Sequence, residues 1–332
     1  MSWRMPAEWE PHSATWLAWP HETTDWPGKF APVPWVYGEI VRKLSQVEMV
    51  RILIEPERIP AARRVLVKSG AVMSAVEFVE CATDRSWTRD FCPTFVKNDA
   101  GAVAACDWEF NAWAKYSNYA RDNAVPALVA AHLGVERLAP GFVLEGGGIE
   151  VNGGGLLLTT EEWLLSDVQV RNPGFTRERY EALFREWLGV TDTIWLKNGI
   201  AGDDTHGHID DLARFTGPST AVIVVEDNPL EANYLPLREN LELLRRRQDL
   251  KVVELPMPRP LFFDGQRLPA SYANFYVANS LVLVPTFNDP ADREALRTLA
   301  KLFPDREVCG IHAVDLVLGL GTLHCLTQQQ PA

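Results

Sequence analysis

No stretch of this sequence approaches the roughly 18 uninterrupted apolar residues that a membrane-spanning helix needs, and its opening, Met1 to Pro11, has no apolar signal core. A cytoplasmic protein without a membrane partner is expected. Neither a GxGxxG turn nor a P-loop opens any helix, so a nucleotide site has no support. No run of Lys or Arg offsets a net charge of -12, from 44 acidic against 32 basic residues, and a phosphate backbone would be repelled. Nucleic acid is therefore not an expected partner, whereas a small cation suits the field. Cysteine is scarce: Cys81, Cys92, Cys106, Cys309 and Cys325 are odd in number, widely spaced and free of any CxxC pair. That excludes a disulfide framework and a structural zinc site, leaving free thiols, one of which can serve as a nucleophile.

What is present is material for a large core, with 47% hydrophobic residues, 14 Phe, 12 Trp and 7 Tyr. Five segments read as amphipathic helices, beginning near Glu57, Asn123, Thr176, Pro229 and Pro290 at intervals of about 50 to 70 residues. Strand-like runs such as MVRILIEP, AVEFVECAT, GGLLLTT, DTIWLKN, AVIVVED, KVVELPMP and SLVLVPTF lie between them. Five β/α units thus fill the chain from about residue 47 onward, with no linker or low-complexity segment between them. Strands and helices alone also fit an ordinary doubly wound sheet. The crowd of Trp3, Trp9, Trp16, Trp19, Trp26 and Trp35 among prolines reads as core more readily than as a ligand wall.

Four segments carry candidate chemistry. His206-Gly207-His208-Ile209-Asp210 has the spacing of a metal motif, since alternate side chains of an extended segment share a face. It lacks the following His and the downstream ligands that such a site needs. Without metal, His208 and Asp210 still share one side of a strand, placing a proton carrier beside a carboxylate. Trp87-Thr88-Arg89-Asp90 ends a strand-like run with an acid beside an indole, Glu145 precedes a flexible Gly146-Gly147-Gly148 turn, and Cys325 stands near the C-terminus. These groups fall between different repeats. If the repeats close around an axis, the groups meet at its centre.

Along nearly its whole length the sequence resembles the agmatine deiminase family of the guanidino-group modifying superfamily. The resemblance is carried by MPAEWEPHSATWLAWPH, WTRDFCPTF, WEFNAWAKY, LEGGGIEVNGGGLLLTTEEWLL with RNP, GDDTHGHIDDLARF, YANFYVAN with VPTF, FPDREVCGI and LGLGTLHCLTQQQP. It implies one catalytic domain over residues 1–332, folded as a five-bladed α/β propeller. It also implies that Cys325 is the nucleophile, His208 the acid and base, Glu145 the carboxylate supporting it, Asp90 and Asp210 the guanidinium clamp, and Asp204 a substrate contact. Trp87 could pack against the substrate's methylene tail or lie over its cation. Two departures are His206, where the family often has Asp, and Gly319-Leu320-Gly321-Thr322, where it has Gly-Gly-Gly-Asn.

The implied reaction converts agmatine and water to N-carbamoylputrescine and ammonia through a cysteine thiouronium, and no step needs a metal or cofactor. The partner is then a small cationic guanidino substrate, and a homo-oligomer is left open. Because agmatine ends in an ammonium, its tail pocket should be acidic or aromatic and lack a paired arginine. Cys81, Cys92, Cys106 and Cys309 are expected to be buried and inert, and Arg89, His312 and His324 structural. Arginine or peptidyl-arginine deimination, amidino transfer and metal-dependent hydrolysis through His206, His208 and Asp210 stand as alternatives.

Overall fold

A computed structural model describes residues 3–332. Apart from a two-stranded hairpin, Phe262–Phe263 with Gln266–Arg267, its strands fall into five sheets that repeat one plan: two antiparallel strands, a crossover helix, then a third strand parallel to the second. The plan is Thr94–Asn98, Val103–Cys106, helix Val125–Leu133 and Glu136–Leu138 in one sheet, whose outer edge Trp3–Arg4 completes. It recurs as Glu150–Val151, Leu156–Thr160, helix Arg177–Leu188 and Asp192–Leu196. Ala213–Gly217, Thr220–Val225, helix Tyr234–Arg245 and Lys251–Pro256 form the next. Tyr276–Val277, Leu281–Thr286, helix Asp292–Leu302 and Glu307–His312 follow. The remaining sheet draws on both ends of the chain: C-terminal Gln328–Pro331 pairs antiparallel with His12–Ala18, which lies parallel to Met49–Ile54 and then Val76–Glu80.

All seven strand-like runs named from the sequence are strands, and four of them hold the middle of a sheet, a position covered on both faces that Val-, Ile- and Leu-rich segments suit. Leu281–Thr286, for example, buries Leu281, Val282, Leu283 and Val284 together. All five expected helices form as well. The register of units, however, differs from the expectation that they start near residue 47. A further helix, Val33–Leu44, is the crossover of the chain-end sheet, and helix Ile59–Ser69 only joins that sheet's last two strands. Helix Val33–Leu44 contains Gly38 at mid-length, which carries a helix-propensity cost. The glycine permits close packing, since a Cβ there would stand 2.2 Å from Ser69 Oγ on the neighbouring helix.

The N-terminal tryptophans divide. Trp16, Trp19 and Trp26 are buried in the core, while Trp35 is exposed. Among the described residues no helix is long and apolar enough to cross a membrane.

Candidate active site

Each of the five sheets begins with an antiparallel strand, and the connector just before each such strand contributes to one cluster. Asp90 precedes Thr94, Glu145 precedes Glu150, His208 and Asp210 precede Ala213, Asn274 precedes Tyr276, and Cys325 precedes Gln328. Asp90, Glu145, His208, Asp210, Asn274 and Cys325 are all buried.

The local geometry departs from the sequence reading in three places. His208 and Asp210 do not share a strand: His208 leads into the short 3-10 turn Ile209–Asp211. The turn is set by Asp203, whose carboxylate accepts from the backbone N–H groups of Thr205, Gly207 and His208 at 2.8, 2.7 and 3.1 Å. Gly207 takes φ +100°, a conformation that side chains resist, and presses against Thr160 and Trp163. Trp87-Thr88-Arg89-Asp90 is not a strand end but the entry to helix Thr88–Phe91. The three glycines after Glu145 form a packed 3-10 turn rather than a flexible one, and Gly147 N–H donates to Asp90 Oδ1 at 2.9 Å.

His208 Nε2 donates to Glu145 Oε2 at 2.8 Å, which leaves Nδ1 facing Asp90 Oδ1 at 3.8 Å. Arg171, unassigned from the sequence, grips Glu145 with Nε at 2.9 Å from one oxygen and NH2 at 3.1 Å from the other. Trp163 Nε1 donates to Glu145 as well, at 2.8 Å, and its ring meets His208 edge-on. Asp90 accepts from Trp113 Nε1 at 2.8 Å. Asp210 Oδ2 accepts from His324 Nδ1 at 2.8 Å, and the Cys325 thiol stands 3.6 Å from the same oxygen. Asn274 Nδ2 reaches Cys325 Sγ at 3.1 Å and Asp211 Oδ1 at 3.0 Å. Two buried atoms at this convergence have no hydrogen-bond partner: His208 Nδ1 and Asp210 Oδ1. Both groups lie around Gly147, where an added Cβ would meet His208 Nδ1, Asp90 Oδ1 and Asp210 Oδ2 at 2.6, 2.8 and 3.2 Å.

The cluster polarises its members. Burial works against the Glu145 carboxylate, but Arg171 and His208 hold it down at about 2. Burial likewise works against the His208 imidazolium, yet Asp90 and Glu145 push its pKa up to about 9. Burial raises Asp90 to about 6, helped by the like charges of Glu145 and Asp210 and opposed by His208. Asp210 runs the other way: burial would raise it, and the His324 hydrogen bond and charge hold it below the usual carboxylate range. Burial and the carboxylates of Asp210, Asp211 and Asp90 push the Cys325 thiol well above its ordinary value. That shift favours the protonated thiol.

A cavity of about 480 Å³ opens onto Cys325 and Asp90 and is lined further out by Trp87, Trp113, Tyr116 and Asp204. Asp204 accepts from Tyr116 OH at 2.7 Å and pairs with Lys115. Trp87 is buried against Trp26 and donates to Asp25 at 3.0 Å. The expectation of a tail pocket without a paired arginine fails, because Arg85 lines the cavity in an ion pair with Asp25.

His206 turns away, its Nε2 3.0 Å from Ser166 Oγ and its Nδ1 3.9 Å from Glu162. Among the described residues no three His, Cys, Asp or Glu side chains are arranged to hold a metal ion. Arg89 holds the chain end, donating to Gln329 at 2.7 Å. His324 is more than a packing residue, since its Nε2 also donates to Glu8 at 2.8 Å and links that acid to Asp210. Cys92 and Cys106 are buried as expected, whereas Cys81 and Cys309 are only half-buried because both sit near strand ends or edges.

The profile of the Porphyromonas-type peptidyl-arginine deiminase family matches residues 4–331. The agmatine deiminase of Stutzerimonas stutzeri is 36% identical over 99% of this chain and 95% of its own length. The chain belongs to the agmatine deiminase family. A relative from Pseudomonas putida KT2440 gives the same identity and coverage. The solved agmatine deiminase of Enterococcus faecalis superposes with a TM-score of 0.92 at 30% identity, covering 99% of this chain and 96% of that one. A C. jejuni agmatine deiminase with substrate bound superposes equally, at 0.92 and 30% with the same coverage. The mixed α/β fold extends to an amidinotransferase from Microseira wollei, with a TM-score of 0.51 at 12% identity.

Asn274, Arg171, Trp113 and Trp163 were not singled out in the sequence. Each lies in a segment that carries the resemblance, but a polar residue in an aromatic run such as YANFYVAN gives no sign of which neighbour it will meet.

Proposed function

We propose that this protein hydrolyses agmatine to N-carbamoylputrescine and ammonia through a covalent intermediate on Cys325. The observation that carries the reading is the pair of unpartnered buried atoms, His208 Nδ1 and Asp210 Oδ1, beside Asp90 and the Cys325 thiol. A planar cation with several N–H donors matches these acids in charge and hydrogen bonding, and a buried carboxylate oxygen without a donor is costly until one arrives. Asp90 and Asp210 hold the N–H edges and present the central carbon to sulfur. Burial and the neighbouring carboxylates keep Cys325 protonated; the cation's charge offsets those carboxylates, so binding favours the thiolate and releases the thiol proton to solvent. Sulfur attacks, His208 Nδ1 protonates the departing ammonia, and the same nitrogen takes a proton from the water that cleaves the thiouronium. Glu145, itself fixed by Arg171, holds the ring through Nε2 and favours its charged form.

We further infer that the five units close around a pseudo-fivefold axis as one catalytic α/β propeller. Two features support closure: the first sheet is completed by the last strand, and every unit lends a connector to the same cluster. Metal-dependent hydrolysis has less support, because His206 faces away from His208 and Asp210.

The test is ammonia release from agmatine, arginine and an arginine peptide with no amine acceptor present. Agmatine should be preferred, and Cys325→Ala should abolish turnover while circular dichroism shows an intact fold. Turnover in that variant rejects the covalent mechanism, and a preference for arginine or the peptide rejects the substrate.

A further inference from the structure

The tail end of the cavity contains its own ammonium. Lys115 Nζ pairs with Asp204 Oδ1, and both residues line the cavity that leads to Cys325. The neighbouring Asp25 is occupied in the same way by Arg85. The outer acids of the cavity therefore rest in neutralised pairs.

The placement of Lys115 is imposed by the backbone. Ala112, Trp113 and Ala114 take φ of 49°, 59° and 53°, a left-handed run that residues with side chains rarely adopt. Three contacts hold it: Asn111 Oδ1 accepts from Ala114 N–H at 2.9 Å, Trp113 Nε1 donates to Asp90 at 2.8 Å, and Gln169 Nε2 donates to Trp113 O at 3.1 Å. Strained backbone that persists is maintained by its surroundings, and here it delivers an indole to one end of the cavity and an ammonium to the other.

Asp204 does not need Lys115 to keep its place. Tyr116 OH donates to its second oxygen at 2.7 Å, and Gln169 Nε2 holds its backbone carbonyl at 3.1 Å. Asp204's side chain is 16% exposed and that of Lys115 40%, so the lysine can swing its flexible stem into water while the acid stays fixed. A substrate ammonium reaching Asp204 competes for the oxygen that Lys115 already holds.

We propose that Lys115 is a specificity-determining residue, an internal competitor for the tail ammonium of the substrate at Asp204. This rests on the agmatine reading above, with Asp204, the substrate contact that the resemblance implies, taken as the acid that meets the tail. An ammonium tail then gains only the difference between its own pairing and that of Lys115, whereas an uncharged tail meets no competition.

The experiment is calorimetric titration of agmatine and of n-butylguanidine, which has the same guanidinium and no tail charge, into Cys325→Ala protein with and without Lys115→Met. The guanidinium shares any general change in potential, so the readout is the ratio of the two dissociation constants. A half-exposed ion pair predicts that Lys115→Met shifts this ratio about two- to fivefold toward agmatine. Lys115→Arg, which keeps the competing cation, should leave it unchanged. An unchanged ratio in Lys115→Met, or one shifted against agmatine because Lys115 only braces Asp204, overturns the proposal. Binding separates this outcome from the function itself: tighter agmatine binding without turnover in the parent enzyme would retain Lys115 as competitor and reject the reaction.

Discussion

Gly147→Ala is the sharpest probe of the site, because it removes no chemical group and adds one methyl. Gly147 takes no positive φ, so alanine suits its backbone and the entire effect is spatial. The new Cβ would stand 2.6 Å from His208 Nδ1 and 2.8 Å from Asp90 Oδ1, where ordinary contact begins at 3.4 Å. Something must move by about 0.8 Å. None of the neighbours is a loose end: His208 is pinned by Glu145 at 2.8 Å, Asp90 by Trp113 at 2.8 Å and Asp210 by His324 at 2.8 Å. Misplacement of reacting groups by about 1 Å can cost about 100-fold in rate, equivalent to about 2.7 kcal/mol of barrier. Overpacking alone costs the fold about 1 to 3 kcal/mol, a melting shift of a few degrees.

The assay is kcat/KM for ammonia release beside a thermal melt, with Gly154→Ala as control, since an added Cβ there comes no closer than 3.5 Å to Asn152. Gly147→Ala should lose about 100-fold while remaining folded, and the control should behave as wild type. Activity of Gly147→Ala within about threefold of wild type would refute the placement of the three side chains around this glycine.

Two further outcomes follow from the same cluster. Asp90→Asn and Asp210→Asn should each lower kcat/KM for agmatine by roughly 10- to 100-fold, the loss of one charge-assisted bond of about 1.5 to 3 kcal/mol, and near-wild-type kinetics in both would remove them from the clamp. The pH profile of kcat/KM should be bell-shaped, falling on the acid side near 6 as Asp90 protonates and on the alkaline side near 9 as His208 loses its proton. Because the folded pKa of His208 lies above its ordinary 6.5, its contribution to stability is full below that pH and is lost as pH rises through about 9. A kcat/KM still flat at pH 10 would exclude His208 as the proton donor.

The sequence was most legible where chemistry and pattern coincide. Val-rich runs marked the central strands because covered strands need few polar positions, and the spacing of acids, histidine and thiol between repeats anticipated a common centre. Short outer strands such as Glu150–Val151 and Tyr276–Val277 were illegible, since two residues carry no period. Helix Val33–Leu44 was not read from the sequence, and the use of its Gly38 was illegible because it lies in close approach to Ser69 of another helix. Within the site, Cys325, His208 and Asp90 stand in recognisable motifs, while Arg171 acts only by reaching Glu145 across 26 positions of sequence. Lys115 was equally silent, because its meaning depends on a left-handed backbone that no propensity favours.

The two carboxylates proposed as the clamp are not equivalent, and the difference comes from where the chain ends meet. Asp210 is tied through His324 to Glu8, and Glu8 is tied in turn to Arg214 at 2.9 Å and Arg89 at 3.4 Å. Burial works against the Asp210 carboxylate, and this network holds its pKa below the usual carboxylate range. Asp90 has burial and the like charges of Glu145 and Asp210 against it, and the His208 charge at 3.8 Å with an indole and a backbone amide does not offset them, so its pKa rises to about 6. Cys325 stands among the same acids and rests as a thiol. In the proposed reaction a guanidinium entering between them meets Asp210 as the anion that orients it, while its own charge favours ionisation of both Asp90 and Cys325. A neutral amidine or amide of the same shape would be oriented less firmly and would not bring the thiolate into being, so the substrate's cation selects for itself at the chemical step as well as on binding.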